Sequence, residues 1–301
     1  MPPSEAEGSE FETLLTSYLS QIQKQVVSES GDWTVKGFID VYKRIYTISL
    51  DTKVLSKVLE LLMFPVLCDF AETHGYKMEL ARQQNQYPDL SFISPHGEKI
   101  ALDIKSTYRT KTDRDGHKRV SGMTLGTFMG YFRNRSSASI STFPYEQYAH
   151  HYVLGVVYTQ VKGVDERKSY SIEDLADIPS VAKDFEFFLQ EKYRIAADYA
   201  GSGNTKNIGS TRFLDRMLNG AGVFAKLGVD VFDDYWMNYR TKEMARAEGL
   251  SAQPYKNLIE YQQHKRHGQE ILAVPEAEIE SEAIELGEEP ADDGVATDED
   301  P

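Results

Sequence analysis

The chain has 301 residues, 41% of them hydrophobic and 27% charged, a composition that supports one large domain or two small ones around a sizeable core. No run nears the ~18 consecutive apolar residues of a membrane span. The acidic start MPPSEAEGSE also lacks the basic and apolar regions of a secretion signal, so the expectation is a cytoplasmic protein with no membrane partner. The single cysteine, Cys68, lies in the apolar run LLMFPVLCDF; it excludes an internal disulfide and is expected as a buried thiol.

The net charge of -14 argues against a nucleic-acid partner until it is divided along the chain. Residues 270–301 hold thirteen acidic residues and no Lys or Arg, and residues 1–12 hold four glutamates. Residues 13–268 carry 30 acidic against 33 basic side chains, a net of +3. The acidity belongs to the ends, and a near-neutral body permits DNA binding on one locally basic face.

Residues 11–27 repeat apolar side chains at helical spacing (Phe11, Leu14, Leu15, Tyr18, Leu19, Ile22, Val26) and are expected as a helix. A second helix is expected from near Ser49, capped by Asp51 or Ser49. It continues through Val54, Leu55, Val58, Leu59, Leu62 and Met63, with Pro65 disturbing its far end. Two strand-like runs follow, DLSFI (89–93) and KIALDI (99–104), joined by the turn sequence SPHGE. HYVLGVVYTQV (151–161) is β-branched and aromatic and reads as a buried strand; helices alternate with strands from there to residue 240. From Gln269 onward the aromatics vanish, and residues 269–301 are expected as a disordered acidic tail that aids solubility or mimics DNA charge. No repeat or Gly/Ser/Pro linker divides residues 1–268, so one α/β or α+β domain with helical additions is expected.

Two short runs carry the chemistry. QQNQYPDL places Asp89 at the start of one strand, and ALDIKSTY places Asp103 and Lys105 two residues apart on the next. Residues i and i+2 of a strand share a face, so Asp103 and Lys105 project together while Leu102 and Ile104 pack on the other side. A hairpin brings Asp89 alongside Asp103. Two facing carboxylates repel unless a hard divalent cation lies between them, and magnesium suits such an oxygen-rich site beside a substrate phosphate. Lys105 can then orient the attacking water and stabilise charge on the phosphorus oxygens. Asp-x-Lys alone is common on solvent faces; a Pro-Asp opening one strand, fourteen residues before Asp-x-Lys on the next, is far more specific.

This arrangement resembles the PD-(D/E)xK nuclease superfamily, whose fold is a mixed central β-sheet flanked by helices. The runs SLDTKVLSKVLEL, QQNQYPDL, KIALDIKSTY, MTLGTFMGYFRN, VYTQV, AGSGNTKNIGS and DYWMNY narrow the resemblance, in order and spacing, to the EcoRV-type type II restriction endonucleases. The likeness runs from about Ser49 to Tyr239 and more weakly to residue 267. It implies a restriction-endonuclease-like domain over residues 1–268, whose N-terminal part contributes to dimerisation.

The resemblance implies that Asp89, Asp103 and the Ile104 carbonyl bind Mg2+ and that Lys105 is the catalytic lysine. Glu60, on the second helix, matches an acid that holds a second metal or structures water; the competing reading is a solvated helix glutamate. The loop GSGNTKN lacks Walker spacing, which disfavours a nucleotide-phosphate-binding protein. It matches a base-reading loop, carrying over Gly201, Gly203, Asn204, Thr205 and Asn207, with Lys206 departing from the pattern. Gln83, Gln84 and Asn85 resemble a second, minor-groove loop. Lys53, Thr107, Thr124 and Tyr239 match phosphate-contacting or coupling positions, and Arg133 and Arg135 are expected near backbone phosphates. The implied enzyme is a homodimer acting on double-stranded DNA at a GATATC-like palindrome, leaving blunt ends with 5′ phosphates. A cognate DNA methyltransferase, with no direct contact, would protect the host. The alternative is a PD-(D/E)xK DNA-binding or repair nuclease without strict sequence choice.

Overall fold

The structure, a computed structural model, describes residues 5–48, 50–83, 86–165, 167–201, 206–266, 274 and 279–287. In chain order the elements begin with α1 (Glu5–Val26), β1 (Gly37–Ile39), β2 (Ile45–Thr47), α2 (Thr52–His74), β3 (Lys77–Leu80), β4 (Leu90–Ile93) and β5 (Lys99–Tyr108). They continue with β6 (Thr124–Thr127), β7 (Tyr148–Gln160), β8 (Ser169–Tyr170), β9 (Ala182–Glu191), α3 (Lys192–Ile195), β10 (Ala196–Ala200) and β11 (Asn207–Ser210). Five helices close the chain: α4 (Leu214–Asn219), α5 (Val229–Asn238), α6 (Lys242–Ala247), α7 (Leu258–Arg266) and α8 (Glu282–Glu285). None of the described helices is long and apolar enough to cross a membrane.

Where one domain is expected from sequence, the chain groups into two compact units, residues 1–121 with 146–190 and residues 122–145 with 191–301. The chain passes between them without any Gly/Ser/Pro linker, which is why composition does not reveal the division.

The first unit holds a five-stranded mixed sheet in the order β3-β4-β5-β7-β9. β4 runs antiparallel to β3 and β5, while β5 and β7 run parallel. Helices α1 and α2 pack an aromatic cluster against it: Phe11 lies 5.5 Å from Phe70 and 5.4 Å from Phe92, ring to ring. The helical stripe read from sequence is the buried one, with Phe11, Leu15, Tyr18, Ile22 and Val26 inside. Asp51 caps α2, its carboxylate accepting from Lys53 N at 2.7 Å and Val54 N at 3.2 Å. Ser49, the other cap considered, lies outside the described residues.

Pro65 does not disturb α2, which runs on to His74. The proline and Leu61, whose carbonyl loses its helical partner, both face solvent, so that carbonyl is open to water. Met63, Val66, Leu67 and Phe70 meanwhile bury the opposite face. Cys68 is half-buried, and burial pushes its thiol pKa up.

The second unit holds an antiparallel sheet, β10-β11-β6, and an aromatic core of Phe128, Tyr235, Trp236, Tyr239, Tyr255 and Tyr261. Two buried hydroxyls are satisfied by backbone, Tyr235 Oη donating to Asp198 O at 2.7 Å and Tyr255 Oη to Tyr235 O at 2.6 Å. Part of the segment expected as a disordered tail is ordered here. Within residues 279–287, α8 contacts β10 and buries Glu282 completely. The composition misleads because the carboxylates of this stretch are matched by cations elsewhere in the fold. The remainder of 269–301 lies outside the described residues, apart from Val274.

Candidate active site

The β4–β5 hairpin is built by its turn. Ser94 N donates to Glu98 O at 2.8 Å, Ser94 Oγ accepts from His96 N and Glu98 N, and Gly97 supplies the left-handed residue with φ 88°. The resulting register pairs Leu90 with Leu102 and Ile93 with Lys99. Asp89, one residue before β4, is thereby carried to Asp103, and its backbone N–H donates to Asp103 Oδ1 at 3.3 Å.

Strand alternation sorts the rest. Leu102 is fully buried in the core and Ile104 packs against it, while Asp103, Lys105 and Thr107 share the opposite face. Asp89 Oδ2 accepts from Ile104 N at 2.8 Å and from Lys105 Nζ at 3.3 Å, and Lys105 Nζ lies 3.7 Å from Asp103 Oδ1. Three charged groups thus meet in a partly dry corner, with Asp103 buried, Asp89 and Lys105 half-buried.

The electrostatics follow from that crowding. Burial and the Asp103 carboxylate push the Asp89 pKa up, against the pull of Lys105 and the Ile104 N–H. Burial opposes the Lys105 charge, but the carboxylates of Asp103 and Asp89 outweigh it and leave its pKa raised. An excess of negative charge held by two oxygen-bearing side chains is the donor set of a hard divalent cation, and magnesium keeps most of its own water, so one or two carboxylates suffice.

Glu60 acts on this corner at a distance. It raises the pKa of both Asp89 and Lys105 electrostatically, but its direct partner is Lys57 Nζ at 2.6 Å, one helical turn back. Among the described residues no three His, Cys, Asp or Glu side chains are gathered to hold a metal. In this structure the Glu60 carboxylate faces Lys57 along α2, within electrostatic reach of Asp89 and Lys105. Sequence reasoning missed Ser56 and Ser106, whose hydroxyls meet at 2.7 Å and tie α2 to β5. The signal was present: Ser56 lies four residues before Glu60 on one helix face, and Ser106 follows Lys105.

The other expected positions divide. Lys53 is exposed at the start of α2, and Gln83 is exposed in a turn closed by Gln86 N to Gln83 O at 3.0 Å. Gln84, Asn85, Gly203, Asn204 and Thr205 lie outside the described residues. Gly201 and Asn207 flank the loop between β10 and β11, joined by Gly201 N to Asn207 O at 2.8 Å. A Cβ on Gly201 would meet Thr124 Cγ2 at 3.0 Å, so Thr124 sits directly against the base of this loop.

The remaining expected positions lie in packed surroundings. Thr107 is 3% exposed on the strand face it shares with Asp103 and Lys105. Tyr239 is 2% exposed, stacked into the aromatic core 4.9 Å from Trp236 and edge-on to Phe128. Arg135 is engaged by Asp233 at 2.6 Å and lies over Phe132 and Tyr145, and Arg133 donates to the Tyr239 carbonyl; both serve the second unit's interior.

A mixed sheet with Asp on one strand and Asp-x-Lys on its antiparallel neighbour defines a PD-(D/E)xK nuclease. Comparison with known proteins narrows the class: the family model described as restriction endonuclease EcoRV matches residues 29–266. The type II restriction enzyme EcoRV of Escherichia coli is 38% identical over 250 residues, which cover 81% of this chain and 96% of that protein. The chain belongs to the EcoRV restriction-endonuclease family. It is a type II restriction endonuclease, a site-specific deoxyribonuclease whose substrate is DNA.

Proposed function

We propose that the enzyme hydrolyses phosphodiesters of double-stranded DNA at Asp89, Asp103 and Lys105 with Mg2+ as cofactor. The observation that carries this reading is the meeting of the two carboxylates and the ammonium, with Asp89 N 3.3 Å from Asp103 Oδ1 and Lys105 Nζ 3.3 Å from Asp89 Oδ2. Asp89, Asp103 and the Ile104 carbonyl are the groups that would hold the ion. When bound, magnesium supplies Lewis-acid stabilisation of charge on the leaving 3′ oxygen. Lys105 orients the attacking water and offsets charge on the phosphorus oxygens, and the Ile104 N–H keeps the Asp89 carboxylate turned into the site. The product carries a 5′ phosphate.

Base reading falls to residues 201–207, with Gly201, Gly203, Asn204, Thr205 and Asn207 as its contacts, assisted in the minor groove by Gln83, Gln84 and Asn85. The target is a GATATC-like palindrome cut at its centre to blunt ends, the inner TA step being selected through its low cost of kinking. A palindrome calls for a twofold dimer. The β1–β2 hairpin offers exposed apolar side chains for it, Phe38, Ile39 and Tyr46 on its strands and Val41 and Tyr42 in its turn, from 43% to 90% exposed. The setting is cytoplasmic, beside a DNA methyltransferase of matching specificity that protects host sites without contacting this protein.

Digestion of a genome of known sequence, followed by sequencing of the fragment ends, tests the reading. Blunt 5′-phosphorylated ends within GATATC are expected in magnesium and none after chelation. Random ends would favour a PD-(D/E)xK nuclease without sequence choice, and intact GATATC-bearing DNA would overturn the assignment.

A further inference from the structure

The family match ends at residue 266, yet the second unit contains another ordered segment, residues 279–287, built around α8. Its attachment is specific. Ala283 N donates to Asp198 Oδ1 at 3.0 Å, while Asp198 Oδ2 accepts from Leu258 N at 3.0 Å, so one buried carboxylate on β10 holds α7 and α8 together. Glu282, fully buried, turns Oε1 to Arg212 N at 2.7 Å and to Tyr199 Oη at 3.3 Å. Tyr199 belongs to β10, and Arg212 follows β11 by two residues. One side chain therefore bridges β10 and the segment that leaves β11, the two strands on either side of residues 201–206.

The outer face of the segment is clamped as well. Arg216 on α4 meets Glu285 in a two-pronged contact, 3.0 Å on its longer arm, and lies 3.5 Å from Glu280; Lys226 lies 3.4 Å from Glu280. Arg194, Arg216 and Lys226 also line a cavity of about 490 Å³ into which Glu280 reaches. Burying a carboxylate completely is costly unless it is paired or hydrogen-bonded, and the partners that offset the cost are thereby fixed in place. Here burial pushes Glu282 up to about 7, against the pull of Thr211, the Arg212 N–H and Arg216.

We propose that residues 279–287 are a specificity brace and that Glu282 is a positioning residue, holding the β10–β11 hairpin so that its loop presents residues 201–207 to the bases. The proposal rests on the reading of 201–207 as the base-reading loop. The brace acts on choice of sequence, since Asp89, at the entry to β4, and Asp103 and Lys105, on β5, belong to the other unit.

The test uses the full-length dimer with magnesium and two sets of short duplexes, one bearing GATATC and one with a single outer base pair changed. Glu282→Ala leaves the Arg212 N–H without an acceptor and is expected to lower the cognate to near-cognate ratio of kcat/KM by about tenfold, the scale of one lost buried hydrogen bond. The loss should appear in KM, with kcat on the cognate duplex held within about twofold. Glu282→Gln keeps an oxygen acceptor and should restore most of the ratio. Glu285→Gln loosens the Arg216 clamp at an exposed position without opening a cavity, and should lower the ratio in the same direction by a smaller factor. A folded Glu282→Ala enzyme with the wild-type ratio overturns the brace. So does an equal loss on both duplexes, which is the signature of a merely structural role. If Glu282→Ala does not fold, an unchanged ratio in Glu285→Gln overturns it instead. Random cleavage by the wild-type enzyme would sink the base-reading loop and the brace together, whereas discrete wild-type sites with unmoved variant ratios sink the brace alone.

Discussion

Asp89 and Asp103 meet through backbone and carboxylate: the Asp89 N–H donates to Asp103 Oδ1 at 3.3 Å, while the Asp89 carboxylate turns to Ile104 N and Lys105. The hairpin register, set by residues 94–98, forces two acids into one dry corner. Repulsion is held there by a single lysine.

Replacing either acid should therefore separate stability from activity. Asp89→Asn removes one of two repelling charges, so its melting temperature is expected to equal or exceed that of the wild type. Cleavage should fall by at least ~10²–10³-fold, the scale of removing one preorganised charged group. Lys105→Ala should abolish cutting and lower stability, since it leaves Asp103 and Asp89 uncompensated. Thermal melts beside a plasmid-linearisation assay check both, and normal cutting by either variant would show that the site lies elsewhere.

The buried Glu282 makes a pH prediction. Its folded pKa of about 7 lies above the ordinary 4.5, so the folded state binds the extra proton. Its contribution is fully present below about pH 4.5 and is lost as pH rises through 7, by up to ~3 kcal/mol on the scale of 1.36 kcal/mol for each tenfold change in proton affinity. The difference in urea midpoint between Glu282→Gln and wild type should thus grow from pH 5 to pH 8. A constant difference would mean that Glu282 is ionised throughout.

Gly201 and Thr124 should be coupled. Gly201→Ala places a methyl 3.0 Å from Thr124 Cγ2 and is expected to weaken cognate binding. Thr124→Ser removes that methyl, so the double variant should recover by about 1 kcal/mol relative to additivity. Strict additivity in a double-mutant cycle would place the two apart.

The exposed apolar side chains of the β1–β2 hairpin and its turn should carry the dimer. Val41, 90% exposed, has no core role to lose, so Val41→Asp should give monomers by sedimentation and strongly reduce double-strand cleavage while the monomer stays folded. An intact dimer would send the interface to another surface.

Elements whose signals are local were legible. Period-two alternation put Asp103 and Lys105 on one face, the SPHGE turn delivered Asp89 to them, and Asp51 announced the start of α2. Glu60 was read on the right helix but not with its partner, because Lys57 one turn away competes for the same carboxylate. Tyr239 and Arg135 look like surface side chains in sequence. Only the folded chain shows Tyr239 inside the aromatic core and Arg135, 26% exposed, paired with Asp233.

By itself the sequence determined the family and the hairpin that brings Asp89, Asp103 and Lys105 together, since strand periodicity and turn formation act over a few residues. The tertiary structure alone decided that Pro65 rides through a helix, that two compact units form, and that an acidic stretch near the C-terminus is ordered. Glu282 finds Arg212 N, Tyr199 and Arg216 only once β10, β11 and α4 are folded together, 66 to 83 residues earlier in the chain. Composition counts its charge but cannot supply those partners, and the burial of a carboxylate depends on partners that only the folded chain brings near.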